Sequence, residues 1–201
     1  MKTYTTEFLD ETNEVISGLN SEEIAKALKI IQATYERDGR IYIFGNGGSL
    51  ALATHWVSDF NKTVFSQDLD RPIKRFQAVR VPSTEAELTA WANDIGYDMV
   101  FAGPLQNYLS DNDCVIAISS SGNSNNIIKA VELAKKRHIP VIGLSGFDGG
   151  KLAELADAKI VVKTKKGRYD LVEPAHAVVL HLMTKYFQDY FNHLATKISR
   201  K

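Results

Sequence analysis

A chain of 201 residues, 44% apolar and 24% charged, is long enough to bury one proper core and too short for two large ones. Its 24 Lys and Arg match its 24 Asp and Glu, so no basic field points to nucleic acid or to an anionic membrane surface. No stretch approaches the roughly 18 apolar residues of a membrane span, and Met1-Lys2-Thr3-Tyr4 lacks the apolar run of a signal peptide. A soluble cytoplasmic protein is the expectation.

The first helix is predicted over 6–19, with Phe8, Thr12, Val15, Ile16 and Leu19 on one face and Gly18 ending the run. Asn20 and Glu23 have the spacing of a capping box, so a second helix starts there and carries Ile24, Leu28 and Ile31 inward. This pair either docks on the core or meets another subunit. From Arg40 the pattern changes to short apolar runs that alternate with helical stretches. Ile41–Phe44, Phe76–Val81, Cys114–Ser119, Val141–Ser145 and Ile160–Lys163 are the predicted strands, with the β-branched content and lack of alternation of strands buried on both faces. Helices near 49–62, 84–91, 98–109, 124–137, 149–156 and 174–192 fill the gaps, and Ser66–Pro72 reads as an exposed loop. A doubly wound parallel α/β sheet follows, whose ligands bind at the carboxyl ends of its strands. The single cysteine, Cys114, lies inside a predicted strand, reads as a small buried hydrophobe and excludes any disulfide within the chain.

Those carboxyl ends carry the chemistry. After the third predicted strand comes Ser119-Ser120-Ser121-Gly122-Asn123-Ser124, a tight polar loop that opens a helix. Hydroxyls and free backbone N–H groups at the positive end of a helix suit a phosphate or another small anion, and one helix cap would need only one hydroxyl. After the first strand, the glycines of Gly45-Asn46-Gly47-Gly48-Ser49 let backbone approach a ligand closely, and Ser49 can cap the next helix. That turn has neither the dinucleotide fingerprint nor the lysine of a P-loop, which disfavours nucleotides. Asn93 and Asp94 stand at a helix end, suited either to capping or to reaching a sugar hydroxyl.

His55 and Asp59, four apart, share one helical face. Glu173 precedes Pro174 and would occupy a helix cap, with His181 about two turns later on the same face. Two imidazoles and two carboxylates suit either a divalent cation such as zinc or an acid/base pair around a sugar. His138 and His193 read as structural. His176 is undecided between the two roles, although its turn of about 140° from His181, five residues at about 100° each, points it elsewhere.

Taken in order, Gly45–Ser49, His55-x-x-x-Asp59, Asn93-Asp94, Ser119-x-Ser121-Gly-Asn-Ser124, Leu144-Ser-Gly-x-Asp-Gly-Gly150 and Glu173-x-x-His-x-x-x-x-His181 resemble the phosphoheptose isomerases over nearly the whole chain. These sugar isomerase (SIS) domain enzymes interconvert sedoheptulose 7-phosphate and D-glycero-heptose 7-phosphate. The resemblance implies a flavodoxin-like three-layer α/β/α sandwich with a five-stranded parallel sheet and N-terminal helices. It also implies one SIS domain over 1–201, in which 1–39 form a helical hairpin used in oligomerisation and 40–201 the α/β core. A homotetramer with active sites at subunit interfaces and one zinc per subunit would follow. By the same carry-over Ser119, Ser121 and Ser124 hold the phosphate, while Asn46, Gly47, Asn93 and Asp94 hold the sugar. His55, Asp59, Glu173 and His181 surround the metal and the reacting carbons. Gly48, Ser49, Ser120 and Glu173 complete the expected substrate contacts.

Two departures touch the chemistry. The family usually has Glu where this chain has Asp59, and Gln where it has Glu173. Asp reaches about 1.5 Å less far, and Glu173 adds a charge that favours zinc and opposes an enediolate. Both features resemble a branch that shares the His-x-x-x-Asp and Leu-Thr-Ala-Trp-Ala-Asn-Asp segments. The implied reaction is aldose–ketose isomerisation through a cis-enediol(ate), with Asp59 as base and His181, on the opposite side, as acid. The alternative is a non-catalytic SIS protein that binds a phosphosugar or a partner.

Overall fold

The computed structural model describes residues 1–65 and 73–198. The predicted loop Ser66–Pro72 therefore lies outside the described residues. Five strands form one parallel sheet in the order β2-β1-β3-β4-β5. They are β1 (Ile41–Gly45), β2 (Ala78–Arg80), β3 (Cys114–Ser119), β4 (Val141–Gly146) and β5 (Ala158–Val162). The order reverses between β1 and β3, whose residues pair from Ile41 with Cys114 to Gly45 with Ile118. A crevice opens at the carboxyl ends of such a pair.

Helices cover both faces, so the side chains of each strand divide between two cores. On one face Ile41, Ile43, Ile116 and Leu144 meet Ile24 and Ile31 of α2 (Ser21–Glu36), Trp56 of α3 (Gly48–Ser58), and Val179, Met183 and Phe187 of α8 (Tyr169–Ile198). On the other, Tyr42, Phe44, Val115, Ala117 and Val141 meet α5 (Ala102–Tyr108), α6 (Asn125–Lys136) and α7 (Gly150–Leu155), with Leu88 and Trp91 of α4 (Glu85–Asp94) at the margin. Cys114 is fully buried, which pushes its thiol up to about 12 and leaves it unreactive.

Both N-terminal helices dock on their own chain. Asn20 caps α2 by accepting from the N–H groups of Glu22 and Glu23, and the apolar face of that helix is spent in the core. Helix α1 (Lys2–Ser17) buries no residue fully. Its Val15 and Ile16, with Leu19, lean on Phe147, Val162, Val172 and Ala175, and Glu11 holds Arg168 at 2.6 and 2.8 Å.

Several elements differ from the sequence reading. The predicted helix 98–109 is a 3-10 turn, Tyr97–Met99, followed by α5. Pro104 has no N–H to return to Val100, so one continuous α-helix loses a bond there. Helix α8 begins at Tyr169 and contains Pro174 inside it, so Glu173 is not a cap. Ser49 does not cap α3 either, because the cap position is Gly47, which has no side chain. Helix α3 runs at Asp59 into a π-helical turn, Asp59–Thr63, closed by Val64 N–H on the Asp59 carbonyl at 3.0 Å. Single π turns inside helices recur at functional sites.

Candidate functional site

The serine loop is tied to its neighbours by backbone hydrogen bonds. Gly122 N–H donates to the Ser119 carbonyl at 2.8 Å, and the Gly122 carbonyl accepts from Leu152 N–H at 2.9 Å. Gly146 N–H at the end of β4 holds the Ser120 carbonyl at 2.9 Å, and Asn123 Oδ1 accepts from Lys151 N–H at 3.0 Å. Gly122 sits at φ +64°, and a Cβ there would lie 2.0 Å from the Gly149 carbonyl oxygen, so only glycine fits.

Three hydroxyls converge above this frame. Ser119 Oγ donates to Ser124 Oγ at 3.2 Å and lies 3.5 Å from Ser121 Oγ. Ser124 occupies the cap position of α6 but makes no side-chain cap bond, so its hydroxyl is free to meet a ligand. Ser120 stands apart. It is buried, and its hydroxyl has no partner among the described residues, so this member of the expected contacts does not join the trio.

Across the crevice, Asn46 at the end of β1 exchanges amide hydrogen bonds with Asn126 of α6 at 3.0 and 2.9 Å. Tyr97 donates its hydroxyl proton to Asn46 Oδ1 at 2.8 Å. Gly47 adopts φ 52°, ψ −120°, and a Cβ there would meet nothing within 4 Å, so the backbone is bare toward the crevice. Asn93 and Asp94 lie exposed at the end of α4, with Asn93 Nδ2 donating to Asp94 Oδ1 at 2.7 Å. Tyr97 and Asn126 went unmarked in the sequence. Neither belongs to a local motif, since Asn126 reaches a partner 80 residues away.

Helices α3 and α8 supply the titratable groups. They run side by side in one direction, with Glu173 beside Gly48, Thr184 beside Asp59 and Gln188 on the Thr63 carbonyl. Asp59 is 8% exposed. Its Oδ2 accepts from Thr184 Oγ1 at 3.2 Å and lies 3.7 Å from His181 Nδ1 and 3.9 Å from His55 Nε2. The two imidazoles are about half exposed, their rings 5.1 Å apart at 72°. The expected pairing of His55 with Asp59 is present, and His181 joins them. His181 stands on the same wall as Asp59, not across a ligand from it.

One ligand atom from each of His55, Asp59 and His181 lies within 4.8 Å of the others. Nitrogen and oxygen ligands of a tetrahedral zinc stand about 3.3 Å apart, so small rotations of the two exposed rings would close the trio on an ion. Glu173 is not in this group. Eight residues of helix separate it from His181 by about 12 Å along the axis, and its carboxylate lies over the first turn of α3, where a Cβ on Gly48 would be 2.9 Å from it. There the helix dipole favours its charge. Glu173 and His55 share a cavity of about 280 Å³ with Gly48, Ser49, Leu52 and His176.

A hydroxyl trio over the switch point of a doubly wound sheet, with a histidine–carboxylate group at its flank, is the arrangement of the sugar isomerase (SIS) class of α/β proteins. The description of the SIS domain matches residues 4–146. A phosphoheptose isomerase of Helicobacter pylori strain P12 is 32% identical over 189 residues, 93% of this chain and 95% of that protein. Another, of Chlorobium phaeovibrioides, is 35% identical over 170 residues, 85% of this chain and 78% of that protein. The structure of phosphoheptose isomerase from Neisseria gonorrhoeae superposes with a TM-score of 0.80 at 28% identity, covering 94% of this chain and 96% of that one. The chain belongs to the phosphoheptose isomerase family.

Proposed function

We propose that this protein, like the phosphoheptose isomerases it resembles, isomerises a phosphoheptose, interconverting sedoheptulose 7-phosphate and D-glycero-heptose 7-phosphate through an enediol(ate). The observation that carries the reading is the buried carboxylate of Asp59, held by Thr184 and flanked by two half-exposed imidazoles within 4 Å. A sensor or adaptor has no use for such a group. The phosphate is bound by Ser119, Ser121 and Ser124, and Asn46, Gly47, Asn93 and Asp94 take the sugar hydroxyls.

With the phosphate fixed, the carbonyl end meets α3 and α8. Asp59 takes a proton from the carbon next to the carbonyl, C1 of the ketose, leaving an enediolate over C1 and C2. His181 protonates the C2 oxygen and receives the C1 hydroxyl proton. Asp59 then delivers its proton to C2, which gives the aldose and restores both residues, so no net proton is gained or lost. Thr184 orients Asp59 by its hydrogen bond. Because acid and base share one wall, the substrate lies against that wall edge-on, with both reacting carbons facing it.

His55, Asp59 and His181 would hold one zinc ion per subunit, with Glu173 close by in the adjoining cavity. Zinc, when bound, supplies polarisation of the substrate oxygens. A homotetramer with active sites at subunit interfaces is part of the same reading. It is supported by Val178, Leu182 and Tyr186, an exposed apolar stripe at four-residue spacing on α8, beside His181. On α1, Tyr4 and Leu9 are likewise exposed, so within residues 1–39 it is α1 that has apolar surface left for assembly.

Incubation with sedoheptulose 7-phosphate and separation of the product sugars tests the assignment. An aldoheptose 7-phosphate is expected at equilibrium with the ketose; unchanged ketose with zinc-supplemented protein overturns it.

A further inference from the structure

Helix α8 carries, besides His181 and the exposed His193, a buried histidine that the reaction above does not use. His176 is 1% exposed. One ring nitrogen, Nε2, is 3.1 Å from the Ser145 carbonyl oxygen, and the other, Nδ1, is closed from solvent without a partner among the described residues. A carbonyl only accepts, so Nε2 carries the proton and Nδ1 is a bare acceptor. Burial pushes this imidazole down to about 4, so it is neutral at working pH.

A buried, unpaired acceptor is a poor way to fill a core between Leu171 and Leu180, where an aliphatic residue would leave nothing unsatisfied. Protein chains keep such groups where geometry matters more than stability. The geometry served is specific. Ser145 is the residue of β4 paired with Ser119, and its neighbour Gly146 holds the serine loop through the Ser120 carbonyl. On the helix, His176 lies three residues after Glu173 and five before His181, about 4.5 and 7.5 Å along the axis. It also lines the cavity shared by Glu173 and His55.

We infer that His176 is a positioning residue: its single hydrogen bond to Ser145 fixes the axial setting of α8 against the phosphate loop, and so the distance between bound phosphate and His181. This rests on the isomerase reading proposed above. Misplacement of reacting groups by about 1 Å costs on the order of 100-fold in rate, whereas the proposed phosphate contacts, Ser119 to Ser124 between β3 and α6, include no residue of α8.

The test compares His176→Leu, which fills the space without a donor, with His176→Gln, whose amide N–H can reach the Ser145 carbonyl. The measurements are melting temperature, affinity for inorganic phosphate, and kcat and KM for sedoheptulose 7-phosphate. We expect the leucine variant to melt at or above the native temperature, to bind phosphate and substrate within about threefold of native, and to lose at least about 20-fold in kcat. The glutamine variant should recover kcat to within about threefold. Native kcat in the leucine variant overturns the inference, as does a glutamine variant no better than leucine. A leucine variant that unfolds also overturns it, because the ring would then be holding the fold together. If the native protein does not turn over the heptulose, the isomerase reading fails and takes this inference with it; loss of the inference alone requires an active native enzyme.

Discussion

The two ends of the site are built on opposite principles. At the serine loop, to which the proposal gives the phosphate, backbone hydrogen bonds from β4, α7 and the loop itself tie down Ser119, Ser120 and Gly122, and Gly122 is pinned against Gly149. At the proposed chemical end, the Asp59 carboxylate accepts one direct hydrogen bond among the described residues, from Thr184, while His55 and His181 stand 3.9 and 3.7 Å from it and half in solvent. The difference teaches where binding energy is available before the substrate arrives. On the proposed reading, a preorganised cradle anchors the inert phosphate and loses little entropy on binding, whereas the reacting groups tighten only when an ion, a sugar or a second subunit completes their surroundings.

Breaking the open end should therefore spare affinity and destroy rate. Asp59→Asn keeps the shape and removes the base, and turnover is expected to fall about 1,000-fold or more, while His181→Gln loses about 100-fold. Inorganic phosphate should bind both variants as it binds the native protein, measured by calorimetry. Equal losses of affinity and rate would show that the two ends are not separable.

Breaking the closed end should do the reverse. Ser119→Ala combined with Ser121→Ala removes two charge-assisted hydrogen bonds of about 1.5–3 kcal/mol each, so phosphosugar affinity should fall at least tenfold. Saturating substrate should restore much of kcat. Unchanged affinity in calorimetry would move the phosphate elsewhere.

A further effect is on stability, and it comes from His176. His176 titrates near 4 in the folded chain against 6.5 when free. Between those values the unfolded chain binds the extra proton, so stability is complete above about pH 6.5 and declines as pH falls toward 4, by up to about 3 kcal/mol. Urea melts at pH 7 and 5 should show the decline in the native protein and a shallower one in His176→Leu.

Much of this division was legible in the sequence, and the reasons are physical. The serine loop is contiguous and flanked by a β-branched run and a helical period, so its frame and its trio of hydroxyls could be read locally. His55 and Asp59 are four apart on one helix, which fixes their meeting regardless of the rest. Glu173 was harder. Its reading as a cap came from Pro174, a strong stop signal that tertiary packing overrode, because Leu171 and Val172 are buried and carry α8 back to Tyr169. The Asn46–Asn126–Tyr97 network and the use of Ser145 by His176 depend on contacts across the sheet, which no local pattern encodes. The π turn at Asp59 was equally hidden, since it alters the phase of α3 by a single residue.

The most direct measurement is proton exchange at the reacting carbons. In deuterium oxide, the native protein should place solvent deuterium on C2 of the aldose and on C1 of recovered sedoheptulose 7-phosphate, read by NMR, and Asp59→Asn should do neither. Deuterium incorporation that persists in Asp59→Asn at the native rate would contradict the assignment of proton transfer to this carboxylate.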